Sequence, residues 1–236
     1  MSATWILIPV KPFAHAKSRL SSALGPEDRG RIAEAMLRDT LSAVRSCADV
    51  NGVTLIGHRS EIADIASEYG VSVLDDAELL GSATKRIPTG TIADSRLNAV
   101  IAGAADTIRR EAANYAIGVL HADLPALGAH DITAVIGDMR RSPSPIFVAD
   151  RHGYGTTGLF MPQGVMFAPQ FGESSAIRHL QAGAAAAAGE LAGLRCDVDT
   201  PEDLEAALDA GAGKWTRAAV TRAMCTGTFT CETRKV

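Results

Sequence analysis

Short apolar runs alternate with longer amphipathic stretches along the chain. WILIPV, GVTLIG, VSVLD, YAIGVLHAD and SPIFVAD are rich in Val and Ile and nearly continuous in apolar character. Runs of that kind predict strands covered on both faces, as in a parallel sheet. Between them the apolar period changes from continuous to helical. In GPEDRGRIAEAMLRDTLSAVRS, Pro26 stands near the helix start, and Glu27 and Asp28 lie in the first turn, where the helix dipole favours acids. Ile32, Met36, Leu37, Leu41 and Val44 then share one face. SEIADIASEYG reads as a helix from a cap at Ser60 to Gly70. DSRLNAVIAGAADTIRR, HDITAVIGDMRR, SSAIRHLQAGAAAAAG and PEDLEAALDAG read as further helices, with the alanines at 184–188 as a helix end.

Strand–helix alternation implies an α/β protein with a Rossmann-like, mostly parallel central sheet and helices on both faces. The expected organisation is one domain over 1–212 and a C-terminal tail, 213–236, without clear pattern. The tail could dock on the body, reach a second subunit or be partly disordered. Residues 80–93 lack periodicity and are long for a loop, so they are either mobile or a substrate-covering lid.

Composition narrows the class. A chain of 236 residues can bury a sizeable core. With 27 acidic against 23 basic residues there is no basic excess of the kind that marks nucleic-acid binding. No apolar run has the length of a membrane span or the flanks of a signal peptide, so a cytoplasmic protein is expected. Cys47, Cys196, Cys225 and Cys231 form no CxxC pair and read as reduced thiols.

Candidate chemistry follows from where ligands sit on such sheets, at the carboxyl ends of the strands. Lys11, Lys17 and Arg19 come after the first strand, Asp123 after YAIGVLHA and Asp150 after SPIFVA. Asp197 and Asp199 follow the expected last strand. Bases hold a polyphosphate, and carboxylates hold the divalent cation that neutralises it, magnesium above all. Each Asp is equally suited to capping a helix, and at the last site either Asp199 or Thr200 fits that role. A second cluster comprises Gly153, Gly155, Thr156 and Thr157. A third, Gly172, Ser174 and Ser175, opens a helix. Glycine backbone and hydroxyls suit an anion, and two such cradles beside a basic loop suggest more than one phosphorylated ligand. The histidines show no metal spacing and carry no assigned role, with His179 facing the pocket or packed on it.

IPVKPFAHAKSRLSSAL, LNAVIAG, HADLPAL, DRHGYGTTGL, FGESSAIRHL and DVDTPEDL occur in this order. Together they resemble the guanylyltransferases of coenzyme F-420 biosynthesis, which act on 2-phospho-L-lactate, phosphoenolpyruvate or 3-phosphoglycerate. The resemblance implies transfer of GMP from GTP to the phosphate of such an acid, with release of pyrophosphate. It implies that Lys11, Lys17 and Arg19 contact the triphosphate, with Lys17 and Asp123 catalytic. Asn98, Leu124 and Pro125 would lie near the nucleoside. Asp123, Asp197 and Asp199 would hold magnesium. Gly153, Thr156, Thr157, Gly172, Ser174 and Ser175 would cradle the acid. GTP and a small phosphorylated carboxylic acid are then the partners, with no nucleic acid and no membrane, and a homodimer left open. Arg96, Tyr154 and Thr157 depart from the family pattern where acid and nucleoside should bind.

Overall fold

The computed structural model describes residues 3–82, 92–111 and 114–225. The sheet has seven strands: β1 Ala3–Pro9, β2 Val50–Gly57, β3 Ser72–Asp75, β4 Tyr115–Leu120, β5 Ile146–Ala149, β6 Thr156–Met161 and β7 Ala185–Ala186. Their spatial order is β3-β2-β1-β4-β6-β5-β7. β6 runs antiparallel to both β4 and β5, and the remaining pairings are parallel. The helices are α1 Pro26–Ser46, α2 Arg59–Tyr69, α3 Asp76–Ser82, α4 Ile92–Glu111, α5 Ala129–Arg141, α6 Ser175–Gln181, α7 Ala192–Arg195, α8 Pro201–Asp209 and α9 Lys214–Cys225.

The continuous apolar strands are explained by the two layers that cover them. Side chains alternate between faces along a strand. Ile6 and Ile8 of β1 therefore join a core with Leu37 and Leu41 of α1, Ile65 of α2 and Ile132 of α5. Leu7, between them, joins a second core with Leu79 of α3, Ile101 of α4 and Ala176 of α6. A third apolar cluster lies outside the sheet. It gathers Leu20 and Leu24 after the basic loop, Ile32 and Met36 of α1, Val198, Leu204 of α8, and Val220 and Ala223 of α9.

Several expectations change. The segment read as a helix over SSAIRHLQAGAAAAAG is helical only to Gln181; Gly183 takes φ +96 and Ala185–Ala186 then pairs with β5 as an edge strand. The stretch 156–161 is a strand, so Thr156 and Thr157 are sheet residues and not loop residues. No strand precedes Asp197: the residues before it form α7. Helix α2 begins at Arg59, without a side-chain cap at Ser60. The tail begins with a docked helix, α9, whose first turn is held by the buried carboxylate of Asp39 on α1, at 3.2 Å from Trp215 N and 2.8 Å from Thr216 N. Most of the 80–93 loop, at 83–91, and the tail beyond 225 lie outside the described residues. Among the described residues no helix is long and apolar enough to cross a membrane.

Candidate active site

β1 ends at Pro9, and the chain turns through two short 3-10 segments before α1. Lys17 joins those segments in the left-handed region, φ 56 and ψ 41, which a residue with a side chain occupies at a cost of about 1 kcal/mol. Lys17 Nζ bonds Asp123 Oδ2 and lies 3.2 Å from Asp199 Oδ1. Arg19, 74% exposed, reaches Asp199 Oδ2 only at 3.5 Å. Lys11 is exposed, and its charge acts on His121. One buried ammonium thus joins two rim carboxylates, with two looser bases outside.

Asp123 follows β4 by way of His121 and Ala122, and its segment is fixed from behind. Leu124 N donates to Thr40 Oγ1 at 3.2 Å, and Gly213 N donates to the Pro125 carbonyl at 2.9 Å. Leu124 and Pro125 are both buried. Asp199 is brought in by Val198, whose side chain sits in the third apolar cluster and whose N–H donates to the Asp123 carbonyl at 3.3 Å. Thr200 caps α8 by accepting from Asp203 N, so the Asp199 carboxylate is not spent on the cap and meets Lys17 and Arg19. Asp203 completes the support: Oδ2 accepts from Asp199 N at 3.1 Å and Oδ1 pairs with Arg151 at 2.6 Å.

The electrostatics are uneven. Burial disfavours charge on Lys17, but the negative charges of Asp123 and Asp199 outweigh it and raise its pKa. Burial likewise opposes ionisation of Asp123, and the Lys17 charge reverses that, holding Asp123 below the usual carboxylate range. Among the described residues no base pairs with Asp197, and the Lys17 charge offsets its surroundings only in part. Burial, then the negative charges of Asp123, Asp199 and Asp150, push Asp197 up to about 8. Among the described residues Asp123 Oδ1 is a buried acceptor without a hydrogen-bond partner. An orphaned carboxylate oxygen beside crowded, incompletely neutralised carboxylates fits a hard divalent cation in donor chemistry. Among the described residues, however, no three carboxylate, histidine or cysteine groups converge at ligand spacing, and Lys17 stands between Asp123 and Asp199.

Two loops border this rim. Asp150 accepts from Tyr154 N at 3.0 Å and Gly155 N at 2.8 Å, which shapes the turn carrying Gly153, φ +81. The hydroxyls expected beyond it as free anion donors are spent inside the fold. Thr157 Oγ1 donates to the Leu194 carbonyl at 2.6 Å, and Thr156 Oγ1 is 3.0 Å from His179 Nδ1. The second loop, Gln170–Ser175, carries Gly172 and Ser174 at positive φ and Ser175 almost fully buried. Asn98, expected near the nucleoside, bonds the Phe171 backbone through both ends of its amide. Arg96 pairs with Asp76 at 3.1 Å, and Tyr154 is exposed.

His121, to which the sequence reading assigned no role, and Phe171, which it did not single out, also stand at this rim. His121 Nδ1 is 3.8 Å from Asp123 Oδ1, and its ring lies 5.5 Å from that of Phe171. The available signal was position alone: both follow or face the end of β4.

Comparison with known proteins bears on the family and the fold. The family model described as "Guanylyl transferase CofC like" matches residues 4–224. A Nocardia farcinica protein named phosphoenolpyruvate guanylyltransferase is 40% identical over 216 residues, 92% of this chain and 90% of that protein. A Rhodococcus opacus protein of the same name is 38% identical over 217 residues, 91% of this chain and 89% of that protein. Among solved structures, a cytidylyltransferase from Leptospira borgpetersenii shares the fold at TM-score 0.55 and 12% identity, covering 100% of both chains.

Proposed function

The chain belongs to the CofC-like guanylyl transferases, and from that premise we propose that it transfers GMP from GTP to the phosphate of phosphoenolpyruvate in coenzyme F-420 biosynthesis. Guanylyl transfer makes it a nucleotidyltransferase. The choice of acid rests on the shared name of relatives that match over nine-tenths of the chain.

The observation that carries the reading is Lys17 between Asp123 and Asp199 at the sheet rim, with Arg19 and Lys11 outside it. In the reaction an oxygen of the acid's phosphate bonds to the α-phosphorus of GTP. The bond from that phosphorus to the bridging oxygen breaks, and pyrophosphate leaves with the electron pair. The nucleophile is already anionic, so no side chain needs to remove its proton. The task is to hold two polyanions together and to neutralise charge as it develops. Arg19 and Lys11 receive the triphosphate from solvent. Lys17, kept cationic by its two carboxylates, supplies fixed positive charge at the rim. Magnesium would add charge neutralisation at the phosphoryl oxygens, with the unpartnered Asp123 Oδ1 as the ligand atom the geometry offers and Asp197 and Asp199 as the carboxylates that would have to converge on it. Gly172 and Ser174 would offer backbone and hydroxyl donors on the side where the acid would lie, and Gly153 and Ser175, whose N–H groups bond the Asp150 and Gly172 carbonyls, would shape it. Thr156 and Thr157 shape that side through the β6 backbone.

The test is product formation. With GTP and each of phosphoenolpyruvate, 2-phospho-L-lactate and 3-phosphoglycerate, pyrophosphate release and the mass of the product are followed together. Phosphoenolpyruvate is expected to give the guanylated acid with the highest kcat/KM. A higher kcat/KM for either other acid would reassign the substrate, and GTP binding without pyrophosphate release would remove the enzymatic reading.

A further inference from the structure

Two buried polar side chains grip one short piece of backbone beside the site. Asn98, on α4, donates from Nδ2 to the Phe171 carbonyl at 3.0 Å and accepts from Phe171 N at 2.8 Å. One amide therefore closes a ring around the two polar groups of a single residue. His179, on α6 and fully buried, accepts from Gln170 N on Nε2 at 3.0 Å. With Nε2 accepting, the imidazole proton sits on Nδ1, which donates to Thr156 Oγ1 at 3.0 Å. The ring is held neutral, because burial pushes its pKa down to about 4. Phe147 and Phe167 stack against it, and Phe171 meets it edge-on.

The grip has consequences on both sides of the segment. Phe171 carries its ring to His121, two residues before Asp123. Gly172 follows at φ +118, a backbone that side chains rarely adopt, and a Cβ there would collide with the Asp94 carboxylate. The turn then closes through Ser175 N to the Gly172 carbonyl at 3.2 Å, and is tied to the other loop through Ala176 N to the Tyr154 carbonyl at 3.0 Å. Buried hydrogen bonds to peptide groups have no water to fall back on, so losing one leaves an unpaired peptide group and frees the segment to move.

We propose that Asn98 and His179 are positioning residues that set the Gln170–Ser175 turn against the Asp123 rim and so determine how well the acceptor acid binds. This rests on the reading above, in which the acid lies beside Gly172 and Ser175. Neither residue touches substrate; each acts through the Phe171 and Gln170 peptide groups. The nucleotide end of the site, at Lys17, Arg19 and Lys11, is built on different elements and is not held by either of them.

The experiment is a steady-state comparison of Asn98→Ala and His179→Leu with wild type, varying GTP and phosphoenolpyruvate separately. KM for the acid is expected to rise at least tenfold while KM for GTP stays within twofold. His179→Gln, whose amide reaches the Nε2 position, should recover most of the loss. The two constants rising together, or neither moving, would overturn the proposal. If the truncations do not fold, Asn98→Ser, which keeps a polar atom but cannot bond both peptide groups of Phe171, decides by the same criterion. Wild-type enzyme that guanylates no acid would remove the functional reading and this one with it, whereas active wild type with unsplit constants overturns this one alone.

Discussion

Lys17 bonds Asp123 from a backbone that is left-handed, φ 56. Side-chain function and backbone preference are therefore opposed at one residue. Lys17→Gly and Lys17→Ala should both lose on the order of a hundredfold in kcat/KM, the usual cost of removing one fixed charge stabiliser. Both leave Asp123 unpaired to the same extent. They differ only in backbone cost, so the glycine variant should be the more stable by about 1 kcal/mol. Denaturant unfolding of the two variants side by side checks this, and equal stability would mean that the left-handed turn carries no strain.

Asp199 is not the cap of α8, because Thr200 accepts from Asp203 N in that role. Asp199→Asn should therefore melt as wild type does while losing turnover by roughly a hundredfold, about 3 kcal/mol of transition-state stabilisation. A drop in melting temperature matching the loss of activity would return Asp199 to a structural role.

Asp197 behaves differently with pH. Its folded pKa, about 8, is raised from 3.8 by burial and by Asp123, Asp199 and Asp150. A carboxyl raised on folding holds an extra proton in the native state between those values, so its contribution to stability is lost as pH rises from about 4 to about 8. In chelated buffer Asp197→Asn should gain melting temperature over wild type as pH climbs through that window. Added magnesium should raise the wild-type melting temperature at pH 8 more than that of the variant, since a ligand bound only by the native state stabilises it. Identical pH profiles for the two proteins would contradict the crowding of charge at Asp197.

His179 has the opposite sign. Its folded pKa of about 4 lies below the ordinary 6.5, so the unfolded chain takes up the proton first. Its contribution is complete above pH 6.5 and is lost as pH falls towards 4, up to about 3 kcal/mol. Wild type should lose stability between pH 6.5 and pH 4.5 more steeply than His179→Gln, as read by denaturant midpoints. Parallel slopes would show that His179 is not held neutral.

Asp39 anchors the last described helix to α1 through Trp215 N and Thr216 N, and Arg38 lies 5.2 Å over the Trp215 ring. Asp39→Ala removes the acceptor for two helix N-terminal donors and should cost about 2 kcal/mol. Amide exchange should rise first across 214–225. Uniform exchange over the whole chain would mean that this helix does not open separately.

Much of this was written in the local pattern. β1 to β5 and the long helices follow from continuous apolar runs and helical spacing, and the basic loop and Asp123 follow from their place after β1 and β4. β6 was hidden because Gly153, Gly155 and two threonines precede its apolar part, and those residues punctuate loops as readily as they open strands. β7 was hidden because alanine is a strong helix former, and only pairing with β5 at the sheet edge overrides that preference. Asp197 and Asp199 were expected behind a strand; α7 and the packing of Val198 bring them to the rim instead, a long-range effect without a local signal. Asn98 shows the same limit: its composition-level polarity was visible, but its partner, Phe171, is 73 positions away.

The union of Lys17 with Asp199 spans 182 positions. On a ribosome adding roughly 5–20 residues per second, the amine is exposed for about 10–40 s before its second carboxylate is even made. Asp123, 106 positions after Lys17, is made first, so for more than half of that wait neither acidic partner exists and for the remainder only Asp123 does. Nascent chains therefore carry the basic loop without the acidic rim, and slow synthesis across 124–199 should prolong a form that attracts polyanions but has no complete catalytic centre.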